Sequence, residues 1–223
     1  MITSKANAGT GLLAIFCDLD PRWHREFRAW LRDDMFPARM KIGFRAAASY
    51  DLVQDAVDRH GIPEPFATVY ETVSTGDLYG APYQALRANR DQRDRDFHAR
   101  FLKPARYTLC WVGPEISQTD KGGFSPVAVI DRLDLPEATV QEFNIWYMTE
   151  YLQRISRVPG ILRVRRYLAM EGSPRHVMVH EFDGQAPLSD GNWTAARADL
   201  SKTVIPNGSR VTGTYSSVLS AAG

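Results

Sequence analysis

Hydrophobic positions along the chain form short runs and alternations, separated by amphipathic stretches. Leu12 to Leu19 is a continuous apolar run of strand length. Asp20 and Pro21 then open a helix, because Asp is a good N-cap and Pro is favoured at the first helical position. Phe27, Trp30, Leu31 and Asp34 follow at helical spacing and give that helix one apolar face. Gly43 ends it, and 44–53 reads as a second strand. After a turn at His60–Pro65, Phe66 to Val73 alternates and is rich in β-branched residues, a third strand. A helix over 80–103, charged toward its end, and a strand over 106–112 complete the order β-α-β-β-α-β.

The order then repeats. Residues 113–125 carry Gly and Pro without periodicity and read as a linker. Beyond it come a strand at 126–133, a helix from Pro136, strands at 161–169 and 176–182, a helix at 193–200 and a strand at 211–219. Residue patterns repeat with it. Trp30 and Trp146 are 116 apart, and Tyr50 and Tyr167 are 117 apart, with Pro159 as the extra residue. Tyr70-Glu71 stands opposite His180-Glu181 at an offset of 110, and Tyr83 and Arg87 stand opposite Trp193 and Arg197 at the same offset. The sequence therefore predicts two ferredoxin-like units, 1–112 and 126–223, produced by duplication. One such unit has both helices on one sheet face and leaves the other bare, which is costly in water. Two units can cover each other. The expected fold is α+β: eight strands packed sheet to sheet as a sandwich or barrel, helices outside, and a cavity between the sheets.

Strand alternation then assigns faces. Val177 and Val179 are expected under the helices, with His176, Met178, His180 and Phe182 facing the cavity. Tyr70, equivalent to His180, is expected to face the same cavity. Aligning Pro21 with Pro136 places Ile15 and Ile130 under the helices, and Phe16, Val129 and Asp131 inward. His180 is the first candidate for chemistry, since an imidazole can move a proton in either direction near neutral pH. Asp131 on the neighbouring strand would orient it, and Tyr70 would donate a hydrogen bond to a substrate oxygen. His176, Met178, Phe16 and Arg165 are expected to line the substrate. Core packing is the competing reading for each. Glu71 with Arg87 and Glu181 with Arg197 are expected as structural ion pairs. His98 is read as solvated, on a charged helix.

Composition narrows the partners. With 44% hydrophobic and 24% charged residues the balance is that of a globular chain. A net charge of +1 provides no field for nucleic acid or an anionic membrane. Cys17 and Cys110 lie in apolar runs and read as buried thiols. His176 and His180 would spread their rings roughly 13 Å apart along a strand, so they do not make a metal motif. No phosphate loop or nucleophile elbow occurs, and no cofactor is expected. The apolar run at Leu12–Cys17 is too short for a signal core or a membrane span, so a cytoplasmic location is expected. The expected partner is a small molecule, with a homodimer left open.

The Trp-x-x-x-acid helix end, the Val158-Pro159-Gly160 turn, the Arg165-Arg166-Tyr167 strand and the Tyr70-Glu71 strand resemble the dimeric α/β-barrel superfamily, and within it the EthD-like proteins. Many of those relatives have Glu-His at the helix end. Here Glu150 precedes Tyr151 and Asp34 precedes Met35, so that histidine's role does not transfer. The superfamily includes cofactor-free monooxygenases, cyclases, isomerases, lyases and haem enzymes, so the resemblance implies a fold rather than one reaction. The function expected is a cofactor-independent enzyme acting by proton transfer on a small hydrophobic, aromatic or polyketide-like substrate, as a lyase, decarboxylase, isomerase or cyclase. A cofactor-free monooxygenase and a non-catalytic ligand-binding or stress-response protein are the alternatives.

Overall fold

The computed structural model describes residues 10–55, 62–120, 122–203 and 210–222. The expectations for residues 1–9 and His60 lie outside the described residues. The first half contains β1 (Gly11–Asp18), α1 (His24–Trp30), α2 (Phe36–Lys41), β2 (Ala46–Asp55), β3 (Phe66–Thr72), α3 (Ala81–Ala88), α4 (Gln92–Arg100) and β4 (Leu102–Trp111). After a short β5 (Ile116–Ser117) come β6 (Val127–Leu133), α5 (Val140–Trp146), α6 (Leu152–Ile155), β7 (Ile161–Glu171), β8 (His176–Phe182), α7 (Gly191–Thr203) and β9 (Arg210–Ala222).

Two boundaries differ from expectation. The helix expected over 80–103 is broken, because the Asp91 carboxylate caps α4 by accepting from Asp94 N at 2.8 Å. The stretch expected to be only a linker contributes β5, which pairs Ile116 with Val164 and Ser117 with Arg163 on β7. Each half joins its first pair of helices through a π-helical turn, Leu31–Met35 and Tyr147–Tyr151. Gly43 and Gly160 follow these helices at φ +96° and +79°, a left-handed conformation that favours glycine.

The strands run β4-β1-β3-β2-β9-β6-β8-β7, and β7 pairs with β4 to close the circle. The result is an eight-stranded antiparallel barrel with helices on its outside. The halves order their strands alike, β4-β1-β3-β2 and β9-β6-β8-β7, and they meet at the β2–β9 and β4–β7 seams.

The face assignments require correction. Ala14, Phe16, Ala48, Tyr50, Ala67, Val69, Ala128, Ile130, Val177 and Val179 pack together inside the barrel. Val129, Met178 and Phe182 pack under the second half's helices, and Tyr70 under the first half's. The expectation was thus right for Ile15 and Phe16, and inverted for β3, β8 and β6. Every residue of β3, β6 and β8 is buried, so polarity does not mark a solvent face. An eight-stranded bore is just wide enough to be filled by side chains, and here it holds Phe16, Tyr50, Tyr107, Tyr167 and Tyr215 beside its alanines and valines. For β6 the Pro21–Pro136 alignment is one residue off. Leu13 opposes Tyr70 as Val129 opposes His180, an offset of 116, and a slip of one residue exchanges the faces.

Candidate functional site

Three buried polar regions result. In the second half, Arg197 on α7 reaches down to Asp131 on β6 and donates two hydrogen bonds at 2.6 and 2.7 Å. Thr212 donates to the same carboxylate at 2.6 Å. Burial opposes the Asp131 charge, but Arg197 outweighs it and holds the carboxyl well below its usual range. His180 lies alongside, with Nδ1 at 3.6 Å from Asp131 Oδ2 and 3.3 Å from the Val129 carbonyl oxygen. That oxygen can only accept, so Nδ1 carries the proton and Nε2 accepts from the Tyr151 hydroxyl at 2.9 Å. Trp193 and Tyr151 set their rings edge-on to the imidazole. Burial pushes the His180 pKa down to about 4. The expected His180–Asp131 proximity is present, but the imidazole is fully enclosed beneath α7 and faces no cavity between sheets. Neither ring nitrogen is open to a substrate, a metal or a haem iron.

The second region lies inside the barrel. Arg165 is completely buried and donates to Glu71 and Glu181, each at 2.8 Å. Arg163 donates to the other oxygen of Glu181 at 2.9 Å. Burial disfavours all these charges, yet their mutual attraction raises the Arg165 pKa and lowers that of Glu181. The expected Glu71–Arg87 and Glu181–Arg197 pairs are therefore replaced. Both glutamates face the bore, Arg87 is exposed and Arg197 belongs to Asp131. Arg165 is completely enclosed and its two terminal nitrogens are tied to carboxylates, so it does not face a substrate space. Phe16 lies in the same bore under the Arg132 guanidinium, 4.1 Å from its ring. Met178 is packed in the second half's core, and His176 lies at its edge, 6.5 Å from the Phe143 ring. None of these three lines a common space with His180 and Tyr70.

The third region was missed by sequence reasoning. Between β1, β3 and the first half's helices lies a narrow apolar cleft lined by Cys17, Trp30, Met35, Thr68, Tyr70, His98 and neighbouring aliphatic and aromatic groups. Its enclosed volume is about 10 Å³, close to one water molecule. Tyr70 stands at the position of His180, but its hydroxyl has no hydrogen-bond partner among the described residues. Burial pushes its pKa up to about 12, so it is a proton donor. The buried Arg39 guanidinium sits 4.5 Å from the Tyr70 ring and donates to the Met35 carbonyl at 3.2 Å. Burial also raises the Cys17 thiol to about 12, which keeps it protonated. On the opposite wall, His98 Nδ1 lies 2.8 Å from the Asp94 backbone oxygen and 2.7 Å from its Oδ1 carboxylate oxygen. This leaves Nε2 with a lone pair. The Trp30 ring meets the imidazole edge-on at 5.7 Å. The Asp94–His98 spacing of one helical turn was legible, but it sits in a run of alternating charges that hid it.

No family model and no curated protein matches the sequence. Solved structures do resemble it. They include an anthrone oxidase-like protein (TM-score 0.59, 12% identity, over 95% of this chain and 92% of that one). A proposed monooxygenase from Fusobacterium nucleatum gives a TM-score of 0.58 at 12% identity, over 96% of this chain and 95% of that one. A proposed monooxygenase from Lactobacillus acidophilus gives 0.55 at 10% identity, over 96% and 99%. The chain shares their fold. At such identities the likeness concerns architecture, and the chemistry must be argued from side chains. No described helix is long and apolar enough to cross a membrane.

Proposed function

We propose that the chain is an enzyme acting on a small hydrophobic, aromatic molecule by proton transfer, and that the reaction takes place in the first half's cleft. The observation that carries this is the pairing of an unpartnered buried hydroxyl, Tyr70, with the imidazole of His98 across an aromatic-lined space. His98 acts as general base through Nε2, and the Asp94 carboxylate steadies the imidazolium it becomes. Tyr70 donates to the oxygen on which charge develops, and the nearby Arg39 charge favours that anion. Trp30, Phe27 and Phe101 exclude water and select a flat apolar ligand. The cleft is narrow, so Met35 and Leu31 on the π-helical turn must move aside for a ring to enter. Such turns are often sited where function requires an irregular helix. The shared strand order and paired offsets support an origin by duplication, after which the halves diverged.

A second reading follows from the described activities of the similar structures. If the substrate is a phenol, the same base produces a phenolate whose carbanion form can meet dioxygen, as a cofactor-free monooxygenase requires. Turnover of a panel of hydroxylated aromatics, in air and under nitrogen, separates the two. Proton-transfer chemistry proceeds equally in both atmospheres. Oxygenation stops under nitrogen; in air it replaces two hydrogens on the carbanion carbon by one oxygen atom of dioxygen, and the other oxygen leaves as water. In either case His98→Gln should lower turnover by roughly a hundredfold, the scale of a general base. Full activity in both His98→Gln and Tyr70→Phe would place the chemistry elsewhere.

A further inference from the structure

At the edge of the second half's core, three polar side chains gather around Phe143 with unmatched donors. The Tyr147 hydroxyl is fully buried and has no protein partner. His176 is 8% exposed, and its Nδ1 has no partner. Arg166 Nε is buried and unpartnered, and the guanidinium makes no ion pair among the described residues. The groups are close. The Arg166 guanidinium carbon lies 5.0 Å from the Tyr147 ring centroid and 5.7 Å from that of Phe143. Arg166 pairs opposite Met178, and Leu168 opposite His176, so Arg166 and His176 are diagonal neighbours on one face.

Three other arginines enclosed in this fold hold carboxylates: Arg132 holds Glu64, Arg165 holds Glu71 and Glu181, and Arg197 holds Asp131. Arg166 holds none, and burial lowers its pKa where theirs are raised. Asp134 and Arg175 are the other charges that act on His176, and the Asp134 carboxylate already accepts from the Arg175 amide at 2.6 Å. The trio is not demanded by the fold. At the offsets of 117, 110 and 116, the first half has Ser49, Phe66 and Leu31 in these places.

We propose that Arg166, Tyr147 and His176 form a binding site for the carboxylate of a small aromatic acid, separate from the Tyr70 cleft. One cation with neutral donors on either side matches a flat monoanion with two acceptor oxygens. A phosphate dianion would leave one negative charge uncompensated in a half-buried place. Trp146, 5.8 Å from Phe143 between ring centroids, extends the apolar wall against which an aromatic body can lie. Arg166 and Trp146 are only half-buried, which leaves an approach from solvent.

Calorimetric titration of the full chain with sodium benzoate tests this, with benzyl alcohol as the neutral control. Benzoate should bind at a single site and benzyl alcohol should not. Arg166→Met should weaken benzoate by about tenfold or more, the scale of a charged hydrogen bond. Arg166→Lys should fall between, since it keeps the charge without the fork. Tyr147→Phe removes only a hydroxyl and should weaken binding several-fold, which carries the test if Arg166→Met does not fold. Tyr70→Phe should bind benzoate like the parent. Absence of binding at millimolar benzoate, or unchanged affinity in Arg166→Met and Tyr147→Phe, overturns the proposal. So does loss of binding in Tyr70→Phe alone, which would move the carboxylate to the first half.

Discussion

Met35 and Tyr151 close the same π-helical turn in the two halves, 116 residues apart, each directly after the acid that ends the helical pattern. The Tyr151 hydroxyl reaches His180 at 2.9 Å and fills the gap between helix and sheet. Met35 is slimmer and unbranched, and it lines a cleft in front of Tyr70. One side chain thus separates a packed interior from a narrow cleft.

Met35→Tyr should therefore close the cleft. The added ring would occupy the place proposed for the substrate, and turnover should fall by roughly a hundredfold, as expected when positioning is lost. The melting temperature should not drop, because the second half already tolerates this geometry. Steady-state kinetics and thermal denaturation check the pair of outcomes. A fully active Met35→Tyr protein would show that substrate binds elsewhere.

Arg165→Met removes the cation that Glu71 and Glu181 share and leaves Arg163 on Glu181. Breaking a buried ion pair from one side costs about 3–5 kcal/mol, and a loss of that size should appear in urea unfolding. Stability unchanged within about 1 kcal/mol would mean that Arg163 compensates alone.

His180 makes stability depend on pH. Its folded pKa is depressed to about 4, so between that value and the unfolded value of about 6.5 only the unfolded chain binds the proton. Its contribution is complete above about pH 6.5 and is lost as pH falls toward 4. The expected loss across that window is about 3 kcal/mol. His180→Gln should lower stability at pH 7 but flatten the slope, and it should leave turnover near the parent's. A large fall in turnover with stability retained would return catalysis to His180.

Much of the fold was legible because strand runs, helix faces and turns follow local rules. Trp30 ends α1 as Trp146 ends α5, and Tyr70 and His180 each face the helices from the matching strand, in line with their offsets. The faces were not legible, because β3, β6 and β8 are buried on both sides and alternation then carries no sign. Asp131 was correctly placed beside His180, but its stronger partner, Arg197, comes from a helix above it, and no local pattern announces that contact. His98 was discounted because its neighbours are charged. The difference between Met35 and Tyr151 was visible in the sequence, yet its meaning depends on what each touches.

The β2–β9 seam sets the order in which the chain can be completed. β2 lies near the start and β9 near the end, so that ladder joins Ala46 to Ala222. During synthesis the first half emerges with β2 paired on one edge only, to β3, and with its bore-facing side uncovered. Contacts this distant in sequence form late and slowly, and unpaired edges invite association meanwhile. The bore-facing side of the waiting half presents Leu12, Phe16, Tyr50, Tyr107 and Leu109 as well as small Ala and Val side chains, a surface that the second half must cover.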